Sequence, residues 1–202
     1  MGPLAETSIR ADQRGVIMDW RRRRQIANLV DGILEINSFN RPPIELIYAI
    51  MNQRDILFEE RDENDDEFCG VYIVIKDRKI IFVNSNMYIP RKNFTIAHEL
   101  GHHFLGHQLQ NGAILCDKNA VFGKNKPEEE KEADYFAACF LMPKRLLEIK
   151  NAEFEQSYVQ QTSFFQISAT QEKNKQRIEY LSNFFQVSKE AMGYRLEELK
   201  LV

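Results

Sequence analysis

Thr95-Ile96-Ala97-His98-Glu99-Leu100-Gly101-His102-His103-Phe104 is the stretch on which the reading of this chain turns. All four histidines of the protein, His98, His102, His103 and His107, fall inside it or just after it. On a helix, His98 and His102 are one turn apart and project from one face. Two imidazoles placed this way can bind one tetrahedral zinc ion. Glu99 is turned about 100° from His98 on a 3.6-residue helix. It can therefore stand beside the metal as a base without being a ligand, which is the H-E-x-x-H arrangement of zinc peptidases. A random chain of this length would carry the pattern on the order of once per hundred sequences, so the flanks matter. Phe94, Ala97, Leu100, Gly101 and Phe104 are apolar or small. They set the histidine face in a cleft rather than on a solvated surface.

A catalytic zinc ion has three protein ligands and an open position. His103 is five residues from His98 and points away from the pair, and His107 lies beyond the helix-ending Gly106. Pro127, followed by Glu128, Glu129 and Glu130, marks a new helix start, with the acids at its favourable dipole end. That helix runs through Ala133, Phe136, Ala137 and Phe140 to Met142-Pro143. Glu132 lies four and eight residues before Phe136 and Phe140, so it extends an edge of the apolar stripe. A carboxylate there needs a partner, and a metal ion is a good one. Glu129 is the alternative, one turn nearer the solvated end. A boundary charge that simply reaches water is the third reading of Glu132. Asp134 faces off the stripe centre, where it could support a ligand from behind.

Before the histidine helix, Val71 to Ile75 and Ile80 to Val83 flank Lys76-Asp77-Arg78-Lys79, the pattern of a hairpin. An exposed sheet edge beside a metal could hold an extended peptide by strand addition. Ile56-Leu57-Phe58 predicts a short strand, and the acidic run from Glu59 to Glu67 a solvated loop. Asn93 is positioned to cap the histidine helix. Residues 112–126, with Gly112 and Gly123, read as irregular. Residues 1–15 look like a loose start. Trp20, Ile26, Leu29, Val30, Ile33 and Leu34 predict an amphipathic helix over 17–36, and Pro42-Pro43 opens another near Ile44. Arg21 to Arg24 read as a solvated helix face rather than a nucleic-acid patch.

Glu148 to Gln171 is polar with scattered aromatics and reads as a connector. Beyond it, Ile178, Leu181, Phe184 and Phe185 define one helix. Ser188 caps another, which carries Met192, Leu196 and Leu199. The pair looks like a helix-turn-helix, and DNA contact would fall to Lys189, Tyr194 and Arg195. Its charges nearly cancel, so packing or partner docking is the better reading, and direct DNA binding is not expected.

The 202 residues, 44% hydrophobic and 28% charged, suit one soluble domain with a small appendage. No apolar run approaches the roughly 20 residues needed to span a bilayer. The N-terminus lacks a signal core, and Cys69, Cys116 and Cys139 are odd in number and far apart. Reduced thiols, a cytoplasmic location and no membrane association are expected. The net charge of −3 gives no general push toward nucleic acid.

Phe94 to His103, then Glu130-Lys131-Glu132-Ala133-Asp134-Tyr135-Phe136-Ala137-Ala138, then Leu141-Met142-Pro143, resemble the ImmA/IrrE family of metallopeptidases. The resemblance covers about residues 40–145, and Ile80 to Ser85 is similar to the strand before the metal helix there. It implies an α+β, zincin-like fold: a small mixed β-sheet with the H-E-x-x-H helix, followed by a C-terminal helical segment. The division expected is a metallopeptidase domain over 1–145, a connector over 146–170 and a helical segment over 171–202. It also implies His98, His102 and Glu132 as metal ligands and Glu99 as catalytic base. Asp134 stands where asparagine is commoner. The cofactor expected is Zn2+, with Mn2+ or Fe2+ able to occupy the same donors. The substrate class implied is a protein, a helix-turn-helix repressor. Tyr88, Tyr135 and Tyr158 are candidate oxyanion stabilisers by residue type only. Two other functions compete with peptide hydrolysis. One is a non-catalytic metal-binding regulator that docks on a repressor, and the other a DNA-binding regulator.

Overall fold

The computed structural model describes residues 18–34, 41–63, 68–108, 113–117, 126–162 and 170–201. The loose start expected over 1–15 and part of the acidic loop lie outside the described residues. Helix α1 (Trp20–Leu34) buries Ile26, Val30 and Leu34, which recur once per turn and form a single inward stripe. Pro43 opens a 3-10 turn (Pro43–Leu46) that leads into α2 (Ile47–Gln53).

Among the described residues four strands follow: β1 (Ile56–Arg61), β2 (Phe68–Ile75), β3 (Arg78–Asn84) and β4 (Ala113–Asp117). Their order is β1-β3-β2-β4, with β1 parallel to β3 and the other pairs antiparallel. The fold is thus α+β with a small mixed sheet. β1 runs to Arg61, three residues past the expected strand, because its register on β3 continues through Glu59, Glu60 and Arg61. β4 lies where an irregular segment was expected. The β2–β3 hairpin turns at Lys76 and Asp77, both left-handed with φ of 48° and 66°, the turn form that follows the strand twist.

Helix α3 (Ile89–Leu105) carries the histidines and crosses the sheet face that buries Tyr72, Ile81 and Val83. Asn93 does not cap it. Pro90 falls in its first turn, where a missing N–H costs nothing, so the helix begins at Ile89. Asn93 is buried and donates from Nδ2 to the Gln186 carbonyl at 3.0 Å. Gly70 on β2 lets the helix come close. A Cβ there would stand 2.7 Å from Thr95 Cγ2 and 3.1 Å from the Phe82 carbonyl oxygen. Gly70→Ala is therefore expected to destabilise the fold by about 1–3 kcal/mol, the usual cost of overpacking, read as a lower urea midpoint.

Helix α4 (Glu128–Leu141) packs along α3. Gly101 permits the approach, since a Cβ there would lie 3.1 Å from the Phe136 ring. Phe104, Phe136 and Phe140 stack in sequence with centroids 5.8 and 6.1 Å apart. Residues 144–162, expected to be a connector in large part, form helix α5 (Lys144–Thr162). Its buried face comprises Leu146, Leu147, Lys150 and Phe154. The lysine hides that stripe from a reading by hydrophobicity. Its ammonium pairs with Glu153 at 2.9 Å and lies 4.8 Å from the centroid of the Phe184 ring.

Helices α6 (Thr170–Phe185) and α7 (Lys189–Glu198) form the C-terminal pair, with Ser188 Oγ accepting from the Ala191 N–H at 3.1 Å as expected of a cap. Leu181, Phe185, Met192 and Leu196 belong to the same buried cluster as Ile96 and Phe136. Arg195 is buried. Its Nε donates to the Met142 carbonyl at 3.2 Å and its Nη1 to Glu198 at 2.7 Å. It therefore ties α7 to the end of α4 and is not available to DNA. The arginine run is likewise turned inward in part. Arg22 holds Glu132, and Arg23 reaches Glu198 at 3.6 Å and lies 5.3 Å from the centroid of the Tyr135 ring. Arg195→Met should cost about 1–3 kcal/mol by stranding the Met142 carbonyl, measured by urea unfolding. Among the described residues, no helix is long and apolar enough to cross a membrane.

Candidate metal centre

The turn spacing of α3 stacks His98 over His102 with their Nε2 atoms 3.0 Å apart, both rings buried. A carboxylate from α4 meets them, and it belongs to Glu130. One oxygen lies 3.2 Å from His98 Nε2 and the other 3.4 Å from His102 Nε2. The donor set fits a metal ion. Bonds of about 2.0–2.1 Å in a tetrahedron put ligand atoms roughly 3.3 Å from one another. Two neutral nitrogens and one carboxylate leave the fourth position open. His98, His102 and Glu130 are thus the residues among those described that could hold a divalent ion.

Glu132, expected as the third ligand, is not the carboxylate that stands beside the two histidines. Glu132 is turned to the other edge of the α4 stripe, toward α1. Arg22 grips its carboxylate, with Nε 2.7 Å from one oxygen, and His107 Nε2 lies 3.2 Å from the other. The guanidinium, with help from His107, holds the Glu132 carboxyl below the usual carboxylate range against the opposing effect of burial. The stripe has two edges, and the one bearing Glu130 carries Ala133 and Ala137 in place of phenylalanines. Glu130, Ala133, Ala137 and Leu141 are spaced at three, seven and eleven residues and are all buried. Asp134 follows Glu130 by one turn, so the pair projects to the same side. That i, i+4 pair of acids was the available signal. Phe136 and Phe140 mark the opposite edge, on which Glu132 lies.

Asp134 accepts from His98 Nδ1 at 3.0 Å and is itself held by the Lys126 ammonium. A carboxylate behind the ring fixes the tautomer that leaves Nε2 free for a metal. Burial alone would lower the His98 pKa. The hydrogen bonds to Asp134 and Glu130 and the charge of Glu99 outweigh it and raise the pKa to about 10. His102 moves the other way, lowered to about 2 by burial and by the neighbouring His98 and His107.

Glu99 is fully buried and, like Thr95 one turn before it, faces β2. Its Oε1 would be 3.4 Å from a Cβ on Gly70. It lies next to the His98 ring without joining the donor cluster, as the motif spacing requires. His103 points to the sheet, where Nδ1 meets the Tyr72 hydroxyl at 2.9 Å. Burial, with Lys79 and Arg54 nearby, lowers its pKa to about 4. Of the candidate tyrosines, Tyr88 is exposed. Tyr135 faces Arg23 and Arg195, and Tyr158 packs on Phe154.

Residues 44–197 match the IrrE N-terminal-like domain of the Peptidase_M78 family. The chain belongs to that family. The match runs from the 3-10 turn to α7 and so takes in the metal helix, α4 and the C-terminal pair. No curated protein matches the chain. Among solved structures it is similar to a Mycobacterium tuberculosis transcriptional regulator, with a TM-score of 0.50 and 18% identity. That likeness covers 87% of this chain and 48% of the other, so this chain spans about half the length of its structural neighbour. At such identity it is a likeness of fold. Within Peptidase_M78, the histidine pair and the α4 carboxylate form a metallopeptidase-like centre.

Proposed function

We propose that the protein is a zinc-dependent endopeptidase that cleaves, and so inactivates, a helix-turn-helix repressor. The observation that carries the reading is the convergence of His98, His102 and Glu130 at tetrahedral spacing beside the buried Glu99. A divalent ion in that position supplies Lewis-acid polarisation of a carbonyl and acidifies water. The rest is the work of the chain. Glu99 accepts the proton from the attacking water and passes it to the leaving amine. Asp134 keeps the His98 ring in its ligand tautomer. Among the described residues β4 is an edge of the sheet, so an extended substrate segment can pair with it by main-chain hydrogen bonds. Cys139 is a buried thiol, which suits a reducing compartment, and we place the reaction in the cytoplasm. The neighbour described as a transcriptional regulator supports a regulatory substrate.

The test is to incubate the zinc-loaded protein with purified helix-turn-helix repressors from its host and to map new termini by mass spectrometry. A discrete cut, lost with chelator and restored by added zinc, is expected. Tight binding of a repressor with no cut would favour the docking regulator instead. Salt-dependent DNA affinity indifferent to chelator would favour the DNA-binding reading.

A further inference from the structure

Of the two histidines outside the donor set, His103 is engaged by Tyr72 on the sheet, and the position of His107 is set by the end of the metal helix. Gly106 is left-handed, with φ 67°. Its N–H donates to the His103 carbonyl at 3.3 Å, and the His107 N–H donates to the His102 carbonyl at 3.2 Å. This is the Schellman arrangement, which brings the residue after the glycine against the residue four before it. An apolar contact frequently accompanies it at those two places. Here they are His107 and His102, and the rings meet edge to face with Nδ1 atoms 2.8 Å apart.

The hydrogens on this pair follow from what each atom must do. For His102 to offer Nε2 to a metal, its Nδ1 carries the hydrogen and donates to His107 Nδ1. His107 then carries its own hydrogen on Nε2 and donates to Glu132, 3.2 Å away. Glu132 accepts as a carboxylate because Arg22 engages both of its oxygens, from Nε at 2.7 Å and Nη2 at 2.5 Å. Each group thus has one direction of donation open to it. His98 has a counterpart on its far side, where Asp134 backs the ring directly and Lys126 holds Asp134. The His102 arm is the same device with one imidazole inserted.

We infer that His107, Glu132 and Arg22 form a relay that positions His102 for the metal, making His107 and Glu132 positioning residues rather than ligands. The inference rests on the metal centre proposed above and assigns a role to residues outside its donor set.

His107→Leu separates positioning from packing, because leucine supplies the apolar contact common at this motif and no acceptor. Zinc affinity, measured by chelator competition, is expected to fall roughly 10–100-fold, the usual effect of losing an outer partner. The visible spectrum of the cobalt-substituted protein should change, while the thermal midpoint of the metal-free protein stays near that of wild type. His107→Gln, whose amide can accept from His102 and donate to Glu132, should recover much of the affinity. Glu132→Gln should weaken zinc binding to a similar degree and decides the matter if a His107 variant proves unstable. Wild-type affinity and an unchanged cobalt spectrum in His107→Leu and Glu132→Gln would overturn the relay and leave the metal centre standing. A wild-type protein that binds no divalent ion would overturn both.

Discussion

Glu99→Gln is expected to bind zinc as the wild-type protein does and to cleave substrate about 10²–10⁴-fold more slowly, the range by which a positioned general base accelerates a reaction. The residue is fully buried against β2 and lies outside the donor cluster of His98, His102 and Glu130. Glutamine has nearly the same shape, so it fills the space beside Gly70 and Thr95 without disturbing α3. What it lacks is a basic oxygen. The change also removes a negative charge beside His98, so the metal-free His98 should lose some preference for its protonated form. Metal stoichiometry by atomic emission, set beside the initial rate of repressor cleavage, checks both halves. A variant that retains zinc and cuts at the wild-type rate would remove Glu99 from the mechanism. A variant that loses zinc would show that the carboxylate is needed to build the site rather than to run it.

The histidine helix, the hairpin before it and the helix that supplies the third donor were legible because each is a local pattern. The four-residue histidine interval, the alternation in Val71 to Ile75 and the proline-acid start at Pro127 need no knowledge of neighbours. Features that depend on a distant partner were not legible. Residues 113–117 are a short apolar run that becomes a strand only by pairing with β2. Helix α5 buries a lysine where a stripe calls for an apolar residue, and Glu153 and Phe184 make that burial tolerable. Arg195 reads as a surface cation until the Met142 carbonyl and Glu198 appear beside it. His107 was set aside on the sound ground that a glycine ends the helix before it. The same glycine folds the chain back and delivers its ring behind His102.

Glu130 and Glu132 give the sharpest contrast between a pattern in sequence and an arrangement in space, and metal affinity should separate them. Both are glutamates on one turn of α4, so replacing either with glutamine changes the same charge on the same helix. Helix propensity, net charge and dipole effects are therefore held nearly constant. Glu130→Gln removes a donor from a three-residue set, since a neutral amide oxygen is a far poorer zinc ligand than a carboxylate. Its zinc affinity is expected to fall by well over about 100-fold, beyond what loss of an outer partner costs. Glu132→Gln removes only the negative charge of the acceptor behind His107 and should stay within the roughly 10–100-fold range. The two variants should also differ in stability. Glu132→Gln leaves Arg22 without its ion pair, but that guanidinium is partly exposed, so the loss should be within about 1 kcal/mol. Chelator-competition titrations of both variants, with urea unfolding of the metal-free forms, give the comparison. Should Glu132→Gln prove the more damaging to zinc binding, the third ligand is Glu132 after all. In that case α4 must rotate by nearly half a turn when the metal enters, because residues two apart on a helix are about 160° apart by the shorter way round. The packing of Phe136 against Gly101 argues against such a rotation, since turning α4 would pull that buried ring off α3 and out of the core.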